Sequence, residues 1–177
     1  TGGVRMFMGL FMPNSITTSN ETQVNTYTGG DQLYSHVASL SGGGFVVVWN
    51  SSGQDGNGDG VYAQLYTAGG TVIDSEFRIS GDTVGNQTIA SVDGTTDGGF
   101  LVSWRSDAGD GDYFLAKYDG GGTQRGSTAT LPVDAYITGA AFFWLDVIAL
   151  DDSPQLGNGR YLVTWSADDA DSTGVYA

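Results

Sequence analysis

The sequence contains no cysteine, one histidine, three prolines and only six Lys plus Arg among 177 residues. Each shortage closes a class of function. Without cysteine there is no disulfide framework, no thiolate metal site and no cysteine nucleophile. Six cations against twenty Asp plus Glu leave a formal net charge of −14. Binding to a phosphate backbone draws on counterions released by clustered cations, so nucleic acid is not an expected partner. No stretch reaches the roughly 20 apolar residues that a membrane-spanning helix needs, so no membrane insertion is expected. Helical periodicity is scarce too, because glycine and β-branched runs interrupt every window long enough to show it.

What the sequence has in quantity is glycine, 29 residues, together with 40% hydrophobic and 12% aromatic residues, enough for a packed core. The apolar residues come in three copies of one pattern. Gly43-Gly44-Phe45-Val46-Val47-Val48-Trp49 precedes Gly60-Val61-Tyr62-Ala63-Gln64-Leu65-Tyr66. Gly98-Gly99-Phe100-Leu101-Val102-Ser103-Trp104 precedes Tyr113-Phe114-Leu115-Ala116-Lys117-Tyr118. Gly159-Arg160-Tyr161-Leu162-Val163-Thr164-Trp165 precedes Gly174-Val175-Tyr176-Ala177. The tryptophans stand 55 and 61 residues apart, near the ~40 to 50 residues of a four-stranded propeller blade.

Ahead of each Trp strand lies another strand candidate, at 36–40, 88–92 and 142–150, and a fourth follows the Tyr strand at 76–80 and 129–133. The third copy lacks a fourth strand, but Glu21-Thr22-Gln23-Val24-Asn25-Thr26 resembles Glu76-Phe77-Arg78-Ile79-Ser80, as in a ring closed by joining the two chain ends. The expected fold is all-β and propeller-like with three repeats over 21–177; a β-prism or a β-sandwich of the same repeats is the alternative.

Residues 1–20 fit no repeat in this reading. Val4, Met6, Met8, Leu10 and Met12 alternate with Phe7 and Phe11, so both faces of one extended strand call for burial. Pro13 to Asn20 is polar and reads as a linker. Two outcomes are open: the strand folds back on its own domain, or it adds to an open edge of a neighbouring copy, such as the strand ending at Ala177. Strand donation of that kind runs head to tail and builds a filament unless its rotation closes. The apolar run Phe142-Phe143-Trp144-Leu145 is a candidate for the receiving groove.

The repeat carried by Gly44 to Gly56 and Gly60 to Gln64 resembles a tandem repeat of very large secreted bacterial proteins of the calcium-binding and adhesin type. The likeness covers about residues 22–106. The N-terminal strand resembles, in pattern alone, the donor strand of pilus-like filament subunits. These resemblances imply an extracellular or cell-surface setting and say nothing of a reaction.

Asp55-Gly56-Asn57-Gly58-Asp59-Gly60 matches the front of a calcium loop, with Asp55, Asn57 and Asp59 as ligand candidates. The later ligand positions fall on Ala63 and Tyr66, and solvated Asp-Gly turns account for the same residues without metal. Asn20, Asn50 and Asn86 begin glycosylation triplets and are the candidate glycan sites. Carbohydrate binding through Trp144 or Tyr136 is a further option. His36, on a strand candidate, has a structural rather than a catalytic setting, and no nucleophile elbow or phosphate loop is found, so no enzymatic activity is expected. The sequence thus points to a glycosylated structural protomer that polymerises with copies of itself, with a monomeric calcium- or sugar-binding module as the alternative.

Overall fold

A computed structural model describes residues 3–6, 8–12, 15–18, 21–109, 112–131, 142–150, 160–168 and 173–176. It is all-β, with no helix among the described residues. Four short strands open the chain: β1 (Arg5–Met6), β2 (Gly9–Met12), β3 (Ser15–Thr18) and β4 (Thr22–Gln23). Three antiparallel meanders follow. The first is β5 (Gln32–Ser39), β6 (Phe45–Ser52), β7 (Asp59–Tyr66) and β8 (Val72–Arg78); the second is β9 (Gln87–Gly94), β10 (Phe100–Ser106), β11 (Tyr113–Tyr118) and β12 (Gln124–Leu131). The third holds β13 (Phe142–Ala149), β14 (Tyr161–Asp168) and β15 (Thr173–Tyr176). Each meander is an open sheet in chain order, and none closes on itself.

Glycine places the turns where the repeat needs them. Leu40 donates to the Gly44 carbonyl and Gly43 back to Leu40, with φ of 91° at Gly43; Thr95, Gly99 and Gly98 repeat the same pair of bonds, with φ of 90° at Gly98. Left-handed backbone at that position is the conformation a side chain resists. A second feature shared by the first two sheets is a bulge on the outermost strand, where Asp74 at φ 53° and Gly126 at φ 80° occupy equivalent places. In the first sheet the buried Gln64 side chain donates to the carbonyls of Leu65, Ile73 and Asp74, pairing groups that the bulge withdraws from the ladder.

Alternation along β6 and β10 gives every sheet two apolar faces, and the sheets stack on one another in chain order. Val46, Val48, Val61, Ala63 and Leu65 of the first sheet pack against Phe100, Val102, Trp104 and Tyr118 of the second. The opposite face of the second sheet, with Leu101, Tyr113 and Leu115, packs against Leu145 and Val147 of β13. Stacked rings recur at matching places: Phe45 on Tyr66 and Phe100 on Tyr118, with centroids 4.9 and 5.2 Å apart, and Trp49 on Tyr62 and Trp104 on Phe114, at 6.5 and 5.7 Å. The buried Trp49 indole donates to Gln32 Oε1 at 2.9 Å, and Gln32 Nε2 donates to Ser51 Oγ, tying the first strand to the second.

The N-terminal region departs from expectation in three respects, the first being that β4, expected to complete the third sheet and close a ring, pairs with β1 instead. Residues 4–12 are not one continuous strand: β1 pairs with β4, while β2 turns back on β3 with Leu10 opposite Thr17 and Phe11 opposite Ile16. Ser15–Thr18, expected to be linker, is therefore a strand. Its Ile16 and two threonines have the β-branched side chains that suit a strand, but four residues are too few for alternation to show. Phe7 lies outside the described residues.

Candidate assembly surfaces

The beginning of the chain packs on its own first sheet. Val4 is 5% exposed and Val24 4%, and they meet Val47, Trp49, Tyr62 and Tyr66, with Met6 and Phe45 partly buried against the group. Val4 N–H donates to Asn25 Oδ1 at 2.8 Å, and Val24 N–H to the Val4 carbonyl at 2.8 Å. Met8 lies against Gly70, whose φ of 79° and lack of a Cβ leave room for the thioether. Arg5 faces Glu21 at 3.4 Å, both half exposed, so the pair adds little to stability. Leu10, Phe11 and Met12 fall in β2.

Beside this contact the same face of the first sheet is open. A groove of about 460 Å³ runs between Met6 and Met8 on one wall and His36, Val37, Phe45 and Val47 on the other. Val37 is 66% exposed. Its equivalents in the later sheets, fixed by pairing opposite Val102 and Val163, are Val92, partly buried against the core, and Val147, 2% exposed.

The far end of the stack is open in the complementary sense. On the outer face of the third sheet, Ile148 pairs opposite Leu162, and they are 48% and 41% exposed. The equivalent pair in the first sheet, Ala38 opposite Val46, is buried against the second sheet. Neither surface was singled out in the sequence. The signal that finds them is the register of the first strands, which fixes which valine corresponds to which.

The remaining candidate residues have local roles. Asp55 Oδ1 accepts from Asn57 N–H at 3.0 Å, a turn contact, and Asp59 N–H donates to Asn86 Oδ1 at 3.1 Å, so the hairpin end of the first sheet is tied to the next. Asp55 Oδ2 is buried without a hydrogen-bond partner. Asn50, a candidate glycan site, stands within β6 and is 2% exposed, and its side-chain nitrogen donates to the Gln87 carbonyl at 2.6 Å. The nitrogen that a glycan would use is held between two sheets. Asn86 is exposed, with its amide donating to Asp107 Oδ2. Asn20 and Tyr136 lie outside the described residues, and Trp144 stands on β13 opposite Ser166.

His36, Ser91 and Asp146 hold the same position in the first strands of the three sheets, opposite Val48, Ser103 and Thr164. The Ser91 hydroxyl donates to Asp146 Oδ1. Burial lowers the His36 pKa, and the Asp146 carboxylate opposes that shift. The serine proton thus points at the acid, the reverse of a serine activated by histidine. Asp93 adds a bond of the same kind, accepting from Ala149 N–H at 2.8 Å, so polar groups fasten the first strand of the second sheet to that of the third.

Comparison with protein-family models, with curated proteins and with solved structures finds no match to this chain, so its functional reading rests on its own repeats and on the two open faces at the ends of their stack.

Proposed function

We propose that the protein is a structural protomer of an extracellular filament, in which propeller-like repeats continue from copy to copy and the N-terminal segment joins each subunit to its neighbour. One observation carries the reading: the chain seals two sheet-on-sheet joints inside itself and exposes the two halves of a third, at Val37 and at Ile148 with Leu162. Exposed apolar faces that match an internal joint are association surfaces. The charge of −14 keeps copies apart except where apolar faces meet, so association strengthens as added salt screens the repulsion. The extracellular setting rests on the resemblance of the repeats to secreted proteins.

The test is light scattering and electron microscopy of the full chain over a range of concentrations and salt, beside a variant lacking residues 1–12. Association that rises with both, and is lost in the variant while its circular dichroism still reports sheet, is the expected result. Fibres that persist without residues 1–12 would overturn the role of that segment. A second reading, calcium at Asp55, Asn57 and Asp59, rests on the unpartnered Asp55 oxygen; an unchanged melting temperature after chelation would remove it. Glycosylation is best placed at the exposed Asn86, which mass spectrometry of the native material checks.

A further inference from the structure

We infer that residues 3–25 are the second half of a repeat, and that the groove beside them receives β13 and β14 of a second copy of this chain. The inference rests on the filament reading and specifies its joint.

The β1–β4 pair corresponds bond by bond to the β7–β8 pair. Arg5 stands opposite Gln23 and Met6 opposite Thr22, as Tyr62 stands opposite Arg78 and Ala63 opposite Phe77. The bond from Val24 N–H to the Val4 carbonyl is repeated by Ile79 N–H to the Val61 carbonyl, both 2.8 Å. Val4 N–H donates to the side chain of Asn25, and Val61 N–H to the side chain of Ser80, each one residue beyond the valine or isoleucine just named. Packing agrees. Val4, Met6 and Val24 lie on the first sheet as Val61, Ala63 and Ile79 lie on the second. Met8 meets Gly70 as Leu65 meets Gly122, the two glycines holding the same place in their turns with φ of 79° and 81°.

β1 and β4 are therefore a third and a fourth strand of a repeat. The likeness of 21–26 to 76–80 already marks β4 as a fourth strand; β1, which fits no repeat in the sequence, is not surplus to them. A repeat's first and second strands are what the face beside them lacks. Within the chain that ground, around Val92, Phe100 and Val102, is covered by the first sheet, Ala38 and Val46 included. At the groove the corresponding Val37 is exposed, and Phe45 beside it is only partly buried, while Val47 is covered by Val4 and Val24. The strands of matching kind with a bare face are β13 and β14, whose Ile148 and Leu162 correspond to Ala38 and Val46. Docked in this register, β1 of one copy runs beside β14 of the next in the place of β15. Met6 then stands opposite Thr164, as Ala63 stands opposite Val48.

Because the chain has no cysteine, introduced thiols report this geometry directly. Val37→Cys and Ile148→Cys test the docked faces, and Met6→Cys with Thr164→Cys tests the strand replacement. Mixing two single variants of either pair under mild oxidation is expected to give a covalent dimer, at least tenfold over either variant alone. The double variant is expected to give a ladder that lengthens with concentration. A double variant that oxidises as a monomer would place β13 and β14 of the same chain in the groove and overturn the second copy as occupant. Association without cross-linking would overturn this joint and leave the filament reading standing, whereas no association at any concentration would remove both. Failure of the Met6–Thr164 pair alone would overturn the replacement of β15 by β1.

Discussion

The joint between the first two sheets and the joint between the N-terminal segment and the first sheet use the same positions and reach different degrees of completion. In the former, Phe100 is fully buried and stacked on Tyr118; in the latter, Phe45 is stacked on Tyr66 yet borders an open groove. The difference shows that a repeat's faces are set by its own sequence, whereas their burial depends on how much of the neighbouring repeat is there to cover them. In a stack of this kind each sheet's stability is borrowed partly from the next.

Truncating the two rings tests that statement at its largest expected effect. Phe100→Ala removes a ring from a sealed joint and should cost about 3–5 kcal/mol in denaturant unfolding. Phe45→Ala should cost clearly less, since water already reaches the groove beside it, and the gap should widen if a second copy fills that groove at high concentration. Equal costs at every concentration would mean that the two joints are equally complete.

A smaller contrast comes from the turn glycines. A side chain at Gly122 would be forced into left-handed backbone, with its Cβ 2.9 Å from the edge of the Phe77 ring; Gly122→Ala should cost about 1–2 kcal/mol from the backbone alone and more from the ring. Gly70→Ala meets Met8 instead. An unbranched thioether at the rim of a groove moves aside more readily than a ring packed between sheets, so its cost should be the lower of the two. A reversed order would show that Met8 is held as rigidly as Phe77.

These comparisons also explain what the sequence reveals and what it hides. The three meanders are legible because Gly-Gly-Phe and Trp recur in recognisable form, and their turns and ring stacks need those residue types. Of the half repeat at the start, the fourth strand is legible in the likeness of 21–26 to 76–80, whereas the third is hidden because Val4-Arg5-Met6 shares only its valine with Val61-Tyr62-Ala63. What persists is backbone bonding and the side of the sheet each residue faces, and many apolar side chains satisfy both. Between the paired strands, the turn seen at Thr67 to Thr71 gives way to the β2–β3 hairpin, which breaks the spacing that a search for repeats depends on. The open faces are hidden for another reason: Val37 and Val92 are the same residue type in the same pattern, and only the presence of a neighbouring sheet separates them.

The outermost strands offer a contrast in the stabilising direction. Asp74 holds a left-handed φ of 53° where the second sheet has Gly126 at φ 80°. Asp74→Gly relieves the side-chain clash with the backbone, offset in part by the greater freedom of glycine in the unfolded chain. The expected net effect is a gain of about 0.5–1 kcal/mol by denaturant unfolding. A loss would mean that the aspartate side chain, rather than the bulge geometry, is what the first sheet requires.

The smallest effect separates the hairpins at the head of β6 and β10. In the second sheet the Lys117 ammonium lies 2.8 Å from Asp97 Oδ2, and that bond first, then the Thr95 hydroxyl, holds the Asp97 pKa down from 3.8 to about 2. The first sheet has Gly42 at the equivalent place and Leu65 in place of the lysine. A carboxylate whose pKa is lower folded than unfolded stabilises the fold above its unfolded value, and the contribution disappears as pH falls through the folded value. Asp97 therefore adds stability above about pH 4 that is lost toward pH 2. Its side chain is half exposed, so solvent screening keeps the contribution below about 1 kcal/mol. Asp97→Asn should lower stability by that amount at pH 7, and the gap to the unaltered chain should shrink steadily between pH 4 and 2. A gap that does not change with pH would assign the loss to the Thr95 and backbone contacts of this hairpin and not to its charge, leaving the two hairpins distinguished by shape alone.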